Sequence, residues 1–180
     1  MPHIIFADGL HGINGPMTAY PETAIHLNAL AQELLRGPSS LTPGEREMIA
    51  TYTSSENDCF FCTNCHEAAA RHLLVQEGNP AAAAFDQIKA DCELAPLSEK
   101  MKALLAIAGK VQKGGRKVTE EDVARARAAG ADDKAIHDTV LIAAAFCMYN
   151  RYVDGLSTTA SRDDAVYDRM GERLARQGYH

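Results

Sequence analysis

From Glu45 to His66 the chain reads EREMIATYTSSENDCFFCTNCH, which sets an acid, three thiols and an imidazole in one short span. Cys59 and Cys62 form a C-x-x-C pair, His66 stands four residues after Cys62, and Glu47 stands twelve residues before Cys59. With a helix starting near Asp58, whose side chain is placed to cap it, Cys59 falls in the first turn. Unpaired backbone N–H groups and the positive dipole end favour a thiolate there. Helical spacing puts Cys59, Cys62 and His66 on one face, with Cys62 and His66 an i, i+4 pair in contact range. A thiol of pKa about 8.5 becomes a useful nucleophile near neutral pH only when such neighbours lower that value. Glu47, on a preceding helix that folds back antiparallel, is placed to orient His66 or exchange protons with it. The span therefore reads as a thiol redox site with a carboxylate, imidazole and thiol relay built on two helices.

Other chemistries fit these residues less well. Cys59, Cys62, Cys65 and His66 make a nominal zinc set, but adjacent Cys65 and His66 on one helix point about 100° apart, which suits a tetrahedral cage poorly. Zinc commonly recruits a second ligand pair from elsewhere, and none is evident. Cys62 to His66 also match the C-x-x-C-H string of haem attachment, without an export signal or loops suited to wrapping a porphyrin. Neither metal nor cofactor is expected. Burial as plain core thiols suits Cys92 and Cys147. It does not account for an acid and an imidazole at these offsets.

Outward from the cluster, the elements read as helices. Thr23 to Leu35 has an amphipathic period stopped by Arg36-Gly37-Pro38. Thr42, Pro43 and Glu45 form a capping box that opens the helix carrying Glu47. The cysteine helix runs from about Cys59 to Glu77, ended by Gly78, Asn79 and Pro80. A short alanine-rich helix is expected over 81–92, and Ser98 caps another that breaks at Gly114-Gly115. Thr119 caps a helix ended by Gly130. Asp132 starts a long one that is apolar nearly all round and therefore expected to be buried. Arg162 to Gln177 reads as a surface or subunit-contact helix, and no stretch alternates long enough for a convincing strand. Residues 1–22, with three glycines and three prolines, read as an irregular arm before a single helical domain over 23–180. His72 and His137 have no nameable partner. Asn150, Arg151 and Asp154 mark the point where the long helix leaves the core, with an Arg151–Asp154 pair as the alternative.

At 180 residues and 46% hydrophobic, the chain is able to bury one core without staples. A net charge of −6 with scattered basic residues argues against nucleic acid and against an anionic membrane surface. The start, MPHIIFADGLHGINGPM, lacks the basic and apolar regions of a secretory signal, and the apolar run from Val140 to Tyr149 is too short to span a bilayer. A cytoplasmic location is expected. In a reducing compartment, crowded cysteines point to catalysis or metal binding rather than to a disulfide framework.

The spacing of Glu47, Cys59, Cys62 and His66 resembles the signature of alkylhydroperoxidase D-like proteins of the carboxymuconolactone decarboxylase family. VTEEDVARARAAG from Val118 and IHDTVLIAAAFCMYNRYVDGLS from Ile136 resemble its peroxidase-related branch. The likeness spans roughly residues 25 to 160. It implies an all-α helical bundle with the C-x-x-C motif at a helix N-terminus, a metal-free peroxidase or disulfide reductase activity, and a homo-oligomer. Hydroperoxide is the implied substrate, and a lipoyl or thioredoxin-like dithiol the implied reductant. The best-known peroxidase of the family carries a second histidine between the cysteines, where this chain has Phe60 and Phe61. Cys62, paired with His66, is the expected attacking thiolate, Cys59 its resolving partner, and Glu47 with His66 the proton relay. Cys65 is a third thiol able in principle to divert the disulfide. The rival functions are a decarboxylating lyase of the carboxymuconolactone type and a non-catalytic redox sensor.

Overall fold

Thr42 shows how local chemistry places the first half of the site. Its hydroxyl accepts from the Glu45 amide at 3.2 Å while the Glu45 carboxylate accepts from the Thr42 amide at 2.9 Å, closing the expected capping box with Pro43 behind it. In the computed structural model, which describes residues 1–179, this cap opens α3 (Pro43–Glu56). Before it lie α1 (Asn14–Ala19) and α2 (Pro21–Arg36); after it come α4 (Phe60–Gln76), a 3-10 turn (Pro80–Ala83) and α5 (Phe85–Ala90). Then follow α6 (Glu99–Lys113), a second 3-10 turn (Gly115–Lys117), α7 (Glu120–Ala128), α8 (Asp133–Gly155) and α9 (Asp164–Gln177). No strand occurs among the described residues, and the protein is an all-α bundle.

The antiparallel pair α3 and α4 is the centre of the bundle. α9 covers one side of α4, and α6 and α8 pack on α3. Leu35, Met48, Ile49, Leu74, Leu104, Leu105, Ile107 and Ile142 are all fully buried in the main core. Truncating one such leucine to alanine costs about 2–5 kcal/mol. A smaller apolar cluster between α4, α8 and α9 holds Cys59, Phe61, Cys62, Cys65, Val153, Tyr167 and Leu174, so the motif cysteines are embedded in packing rather than displayed on a loop. α9 is able to lie this close because position 171 is glycine, where an added Cβ would sit 2.5 Å from the Ala68 backbone.

Four expectations are corrected. Asp58 does not cap the cysteine helix: it takes a left-handed conformation, φ 55°, in the tight turn between α3 and α4, and Cys59 itself occupies the extended N-cap position just outside α4. The arm over 1–22 is not wholly irregular, since it contains α1 and the start of α2, and it pairs with its own chain through His3 N to Leu156 O at 2.9 Å and Gly12 N to Thr159 O at 2.8 Å. The alanine-rich stretch splits at Ala84 into a 3-10 turn and α5, which sinks both Phe85 and Ile88 into the core. α8 is not buried all round, for Leu141, Ala144 and Met148 form an exposed stripe one helical face wide.

Candidate active site

α3 delivers Glu47 to a position with no solvent exposure. A lone carboxylate there would cost several kcal/mol, so the residue stands or falls on its partners. It has three: His66 Nδ1 lies 2.8 Å from Oε2, while Arg36 Nη2 at 2.7 Å and the Tyr179 hydroxyl at 2.6 Å both donate to Oε1. Burial pushes the Glu47 pKa up. The donors, His66 first, outweigh it and hold the carboxyl below its ordinary 4.5.

That charge state sets the orientation of the histidine. An ionised carboxylate only accepts hydrogen bonds, so the Nδ1 of His66 carries a proton towards Glu47 and Nε2 is the ring nitrogen left for other partners, an assignment made from hydrogen bonding. Phe146 meets the imidazole edge-on with ring centroids 4.6 Å apart, and Tyr179 stacks on it at 6.1 Å and 13°. The ring is held on both sides, 14% exposed, at the wall of a cavity of about 300 Å³. Cys62 and Cys65 share that wall, together with Phe61, Met170 and Leu174. No hydrogen bond joins His66 to Cys62 among the described residues; what the two share is the cavity, with Nε2 the imidazole nitrogen left without a protein partner.

The thiols are differentiated by where α4 begins. Cys59 and Cys62 approach to 3.0 Å. The hydrogen bond that Cys59 shares with Cys62, and then burial, push the Cys59 pKa well above the ordinary thiol range, so Cys59 stays a thiol beside Cys62. Cys65, one turn further into the helix, is pushed up to about 12 by burial and by the charge of Glu47. Cys62 lies between these two thiols on α4, hydrogen-bonded to Cys59 and facing the cavity. Cys92 and Cys147 lie away from the site, Cys92 near the Tyr52 hydroxyl and Cys147 near Asn57. No group of three or more His, Cys, Asp and Glu side chains is arranged to hold a metal ion among the described residues.

The structure thus brings Glu47, His66, Cys59 and Cys62 to one place. Arg36 and Tyr179 were not foreseen. Arg36 reads in sequence as the last residue before a Gly-Pro stop, and Tyr179 lies beyond the last helix. The only sequence signal for either was that a carboxylate beside Met48 and Ile49 needs compensation, which names no partner. The other polar candidates are structural. Asn150 is buried and bridges Asn57 at 2.8 Å and Ser54 at 3.0 Å, so α8 has not left the core there. Arg151 binds the Cys147 carbonyl at 2.9 Å in place of Asp154. His72 contacts Asp168 at 2.8 Å and His137 contacts Asp138 at 3.0 Å.

Residues 21–88 match the carboxymuconolactone decarboxylase family, a span that holds Arg36, Glu47, Cys59, Cys62 and His66 and leaves Tyr179 outside. The chain is similar to the alkylhydroperoxidase AhpD core of an uncharacterized peroxidase-related protein from Ralstonia eutropha JMP134, with 27% identity and a TM-score of 0.76 over 90% of this chain and 81% of that one. An uncharacterized peroxidase-related protein from Silicibacter sp. TM1040 is 29% identical, with a TM-score of 0.72 over 86% of this chain and 78% of that one. A protein of unknown function from Agrobacterium tumefaciens shares the fold at 21% identity, with a TM-score of 0.69 over 86% of this chain and all of that one (100%). Comparison with curated proteins gives no match.

Proposed function

We propose that this chain is an alkylhydroperoxidase D-like member of the carboxymuconolactone decarboxylase family and a thiol-dependent peroxidase or disulfide oxidoreductase that reduces hydroperoxides through Cys62 and Cys59. The observation that carries the reading is the pairing of Cys59 with Cys62 at 3.0 Å beside a histidine whose Nδ1 is held by a buried carboxylate at 2.8 Å, with Cys62 and His66 facing one cavity. His66 Nε2 accepts the Cys62 proton. The thiolate attacks the outer oxygen of the hydroperoxide; the S–O bond forms as O–O breaks, and the departing alkoxide takes the proton back from Nε2 and leaves as alcohol. Cys62 is then a sulfenic acid. The Cys59 sulfur attacks it, an S–S bond forms, and the hydroxide leaves with the Cys59 proton as water. An external dithiol, lipoyl or thioredoxin-like, restores both thiols and becomes a disulfide itself.

The cavity mixes apolar side chains such as Phe61, Met170 and Leu174 with polar ones such as Asn28 and Arg173, which suits a hydroperoxide with an organic body, and Glu47 with His66 works as a proton relay rather than as a nucleophile. The family match keeps a decarboxylating lyase as the second reading, one that needs no thiol pair. Peroxide consumption with a panel of dithiol donors, comparing the parent with Cys62→Ser, tests the assignment. Turnover that depends on dithiol and falls at least a hundredfold in the variant supports it, whereas turnover that survives the substitution sinks it.

A further inference from the structure

Glu47 is surrounded on every side, and its neighbours divide into two sets. On Oε2 sits His66 alone. On Oε1 sit Arg36, from the end of α2, and Tyr179, from beyond the end of α9. Tyr179 is 132 residues away in sequence, and the chain is tied down on both sides of the contact. Gly178, at φ 72°, turns the chain back after α9, and the Tyr179 amide donates to Gln32 Oε1 at 2.9 Å. Its ring then lies between His66 on one side and the Arg36 guanidinium, 5.3 Å from the ring centre. The hydroxyl reaches both members of the relay, donating to Glu47 at 2.6 Å and lying 3.1 Å from His66 Nδ1, where its oxygen accepts.

We infer that Tyr179 is a positioning residue of this site: its hydroxyl anchors Oε1 of Glu47 as an anion and so reserves Oε2 for the Nδ1–H of His66, making the chain's C-terminal turn part of the proton relay. The inference rests on the reading of Glu47 and His66 as that relay. A charge-assisted hydrogen bond at 2.6 Å is among the stronger kinds, and it acts here on a carboxylate with no solvent exposure. The phenol is suited to the task because burial and the charge of Glu47 keep its own pKa well above the ordinary range, so it remains a donor wherever the thiols react. A purely packing tyrosine would need the ring alone. The two contacts of the hydroxyl are what set a positioning role apart.

The remaining charges around Glu47 do not duplicate the contact. Arg36 shares Oε1 but reaches it by one nitrogen; Arg46, on the same helix, is directed to the Leu34 and Gly37 carbonyls. Cys62 and Cys65 face the cavity from α4. Tyr149 on α8 spends its hydroxyl on the Leu27 carbonyl, and Arg173 on α9 lines the cavity. Removing the Tyr179 hydroxyl therefore leaves Arg36 as the one remaining donor to Oε1 among the described residues.

Tyr179→Phe isolates the hydroxyl because it keeps the stacked ring. Two readouts follow, both without peroxide: the 13C shift of the Glu47 carboxyl against pH, and the alkylation rate of Cys62 by iodoacetamide against pH, resolved by peptide mass spectrometry. The Glu47 midpoint is expected to rise by about one pH unit, a tenfold gain in proton affinity of the size one such hydrogen bond supplies. The acid-side loss of Cys62 alkylation is expected to move up with it. A chain ending at Gly178 repeats the measurement with the ring removed as well, and is expected to show at least the same shift. Glu47 and Cys62 profiles that superimpose on the parent's, with only the melting temperature lowered, would reduce Tyr179 to packing and overturn the inference. Shifted profiles in a protein that consumes no peroxide would leave the role of Tyr179 standing and overturn the peroxidase assignment.

Discussion

At the scale of single residues, the site depends on a carboxylate that is charged although it is buried. Because the Glu47 pKa is depressed in the folded protein, its stabilising contribution is fully present above the unfolded value near 4.5 and is lost as pH falls through the folded value. Glu47→Gln is expected to cost about 3–5 kcal/mol at neutral pH, since it leaves the Arg36 charge without its partner. The gap between parent and variant should close on acidification below that unfolded value. Urea unfolding at pH 7 and at successively lower pH checks this, and a gap independent of pH would mean that Glu47 is not ionised in the native state. His66 makes a second residue-scale prediction. On the proposed relay, His66→Ala removes the imidazole that shares the cavity with Cys62, so Cys62 alkylation near neutral pH should slow about tenfold or more, with its pH profile displaced upward. A rate profile unchanged by the substitution would remove the relay.

At the scale of elements, the start of α4 decides which sulfurs are able to join. Cys59 sits at the N-cap with φ −80° and ψ 94°, outside the helical hydrogen bonding, and already approaches Cys62 to 3.0 Å. Cys65 is inside α4, where closing onto Cys62 means distorting an intact turn to reach the S–S distance of about 2.05 Å and its dihedral. The left-handed Asp58 makes the difference, since it ends the α3 turn early and leaves Cys59 with extended backbone. Stoichiometric oxidation followed by peptide mapping without reduction is expected to give Cys59–Cys62 as the dominant linkage, and Cys65→Ala to keep its turnover. A dominant Cys62–Cys65 bond would move the resolving role to Cys65.

At the scale of the whole molecule, the exposed stripe of α8 calls for a partner. Leu141 and Met148 are 38% and 43% exposed at i, i+7 on a helix whose other faces are core, with Ala144 between them; Ile25 on α2 is 65% exposed. Apolar side chains aligned on one helical face are the usual material of a subunit contact, and a homo-oligomer joined there is the expected state. Light scattering at micromolar concentration should give a multiple of the 19.5 kDa chain mass, and Met148→Glu should shift it toward the single chain. A monomer mass for the parent would count against the assembly. No helix among the described residues is long and apolar enough to cross a membrane.

What the sequence determined by itself was whatever is settled within a few residues. The Thr42 capping box, the Ser98 and Asp132 caps and the glycine stops at 78, 114 and 130 are local hydrogen bonds and local backbone freedom, so the helices they bound were legible. That Cys62 and His66 share α4 was legible for the same reason, whereas Cys59, expected in the first turn, stands just outside it. Only the tertiary structure could show that Arg36 and Tyr179 share one oxygen of Glu47, that Asp58 turns left-handed instead of capping, and that one face of α8 lies open. Those outcomes depend on which surfaces meet when α2, α4, α8 and the C-terminal turn close around α3. A contact between residues 47 and 179 leaves no trace in the order of either segment, because the free energy that forms it is supplied by packing of the whole bundle and not by any stretch of chain.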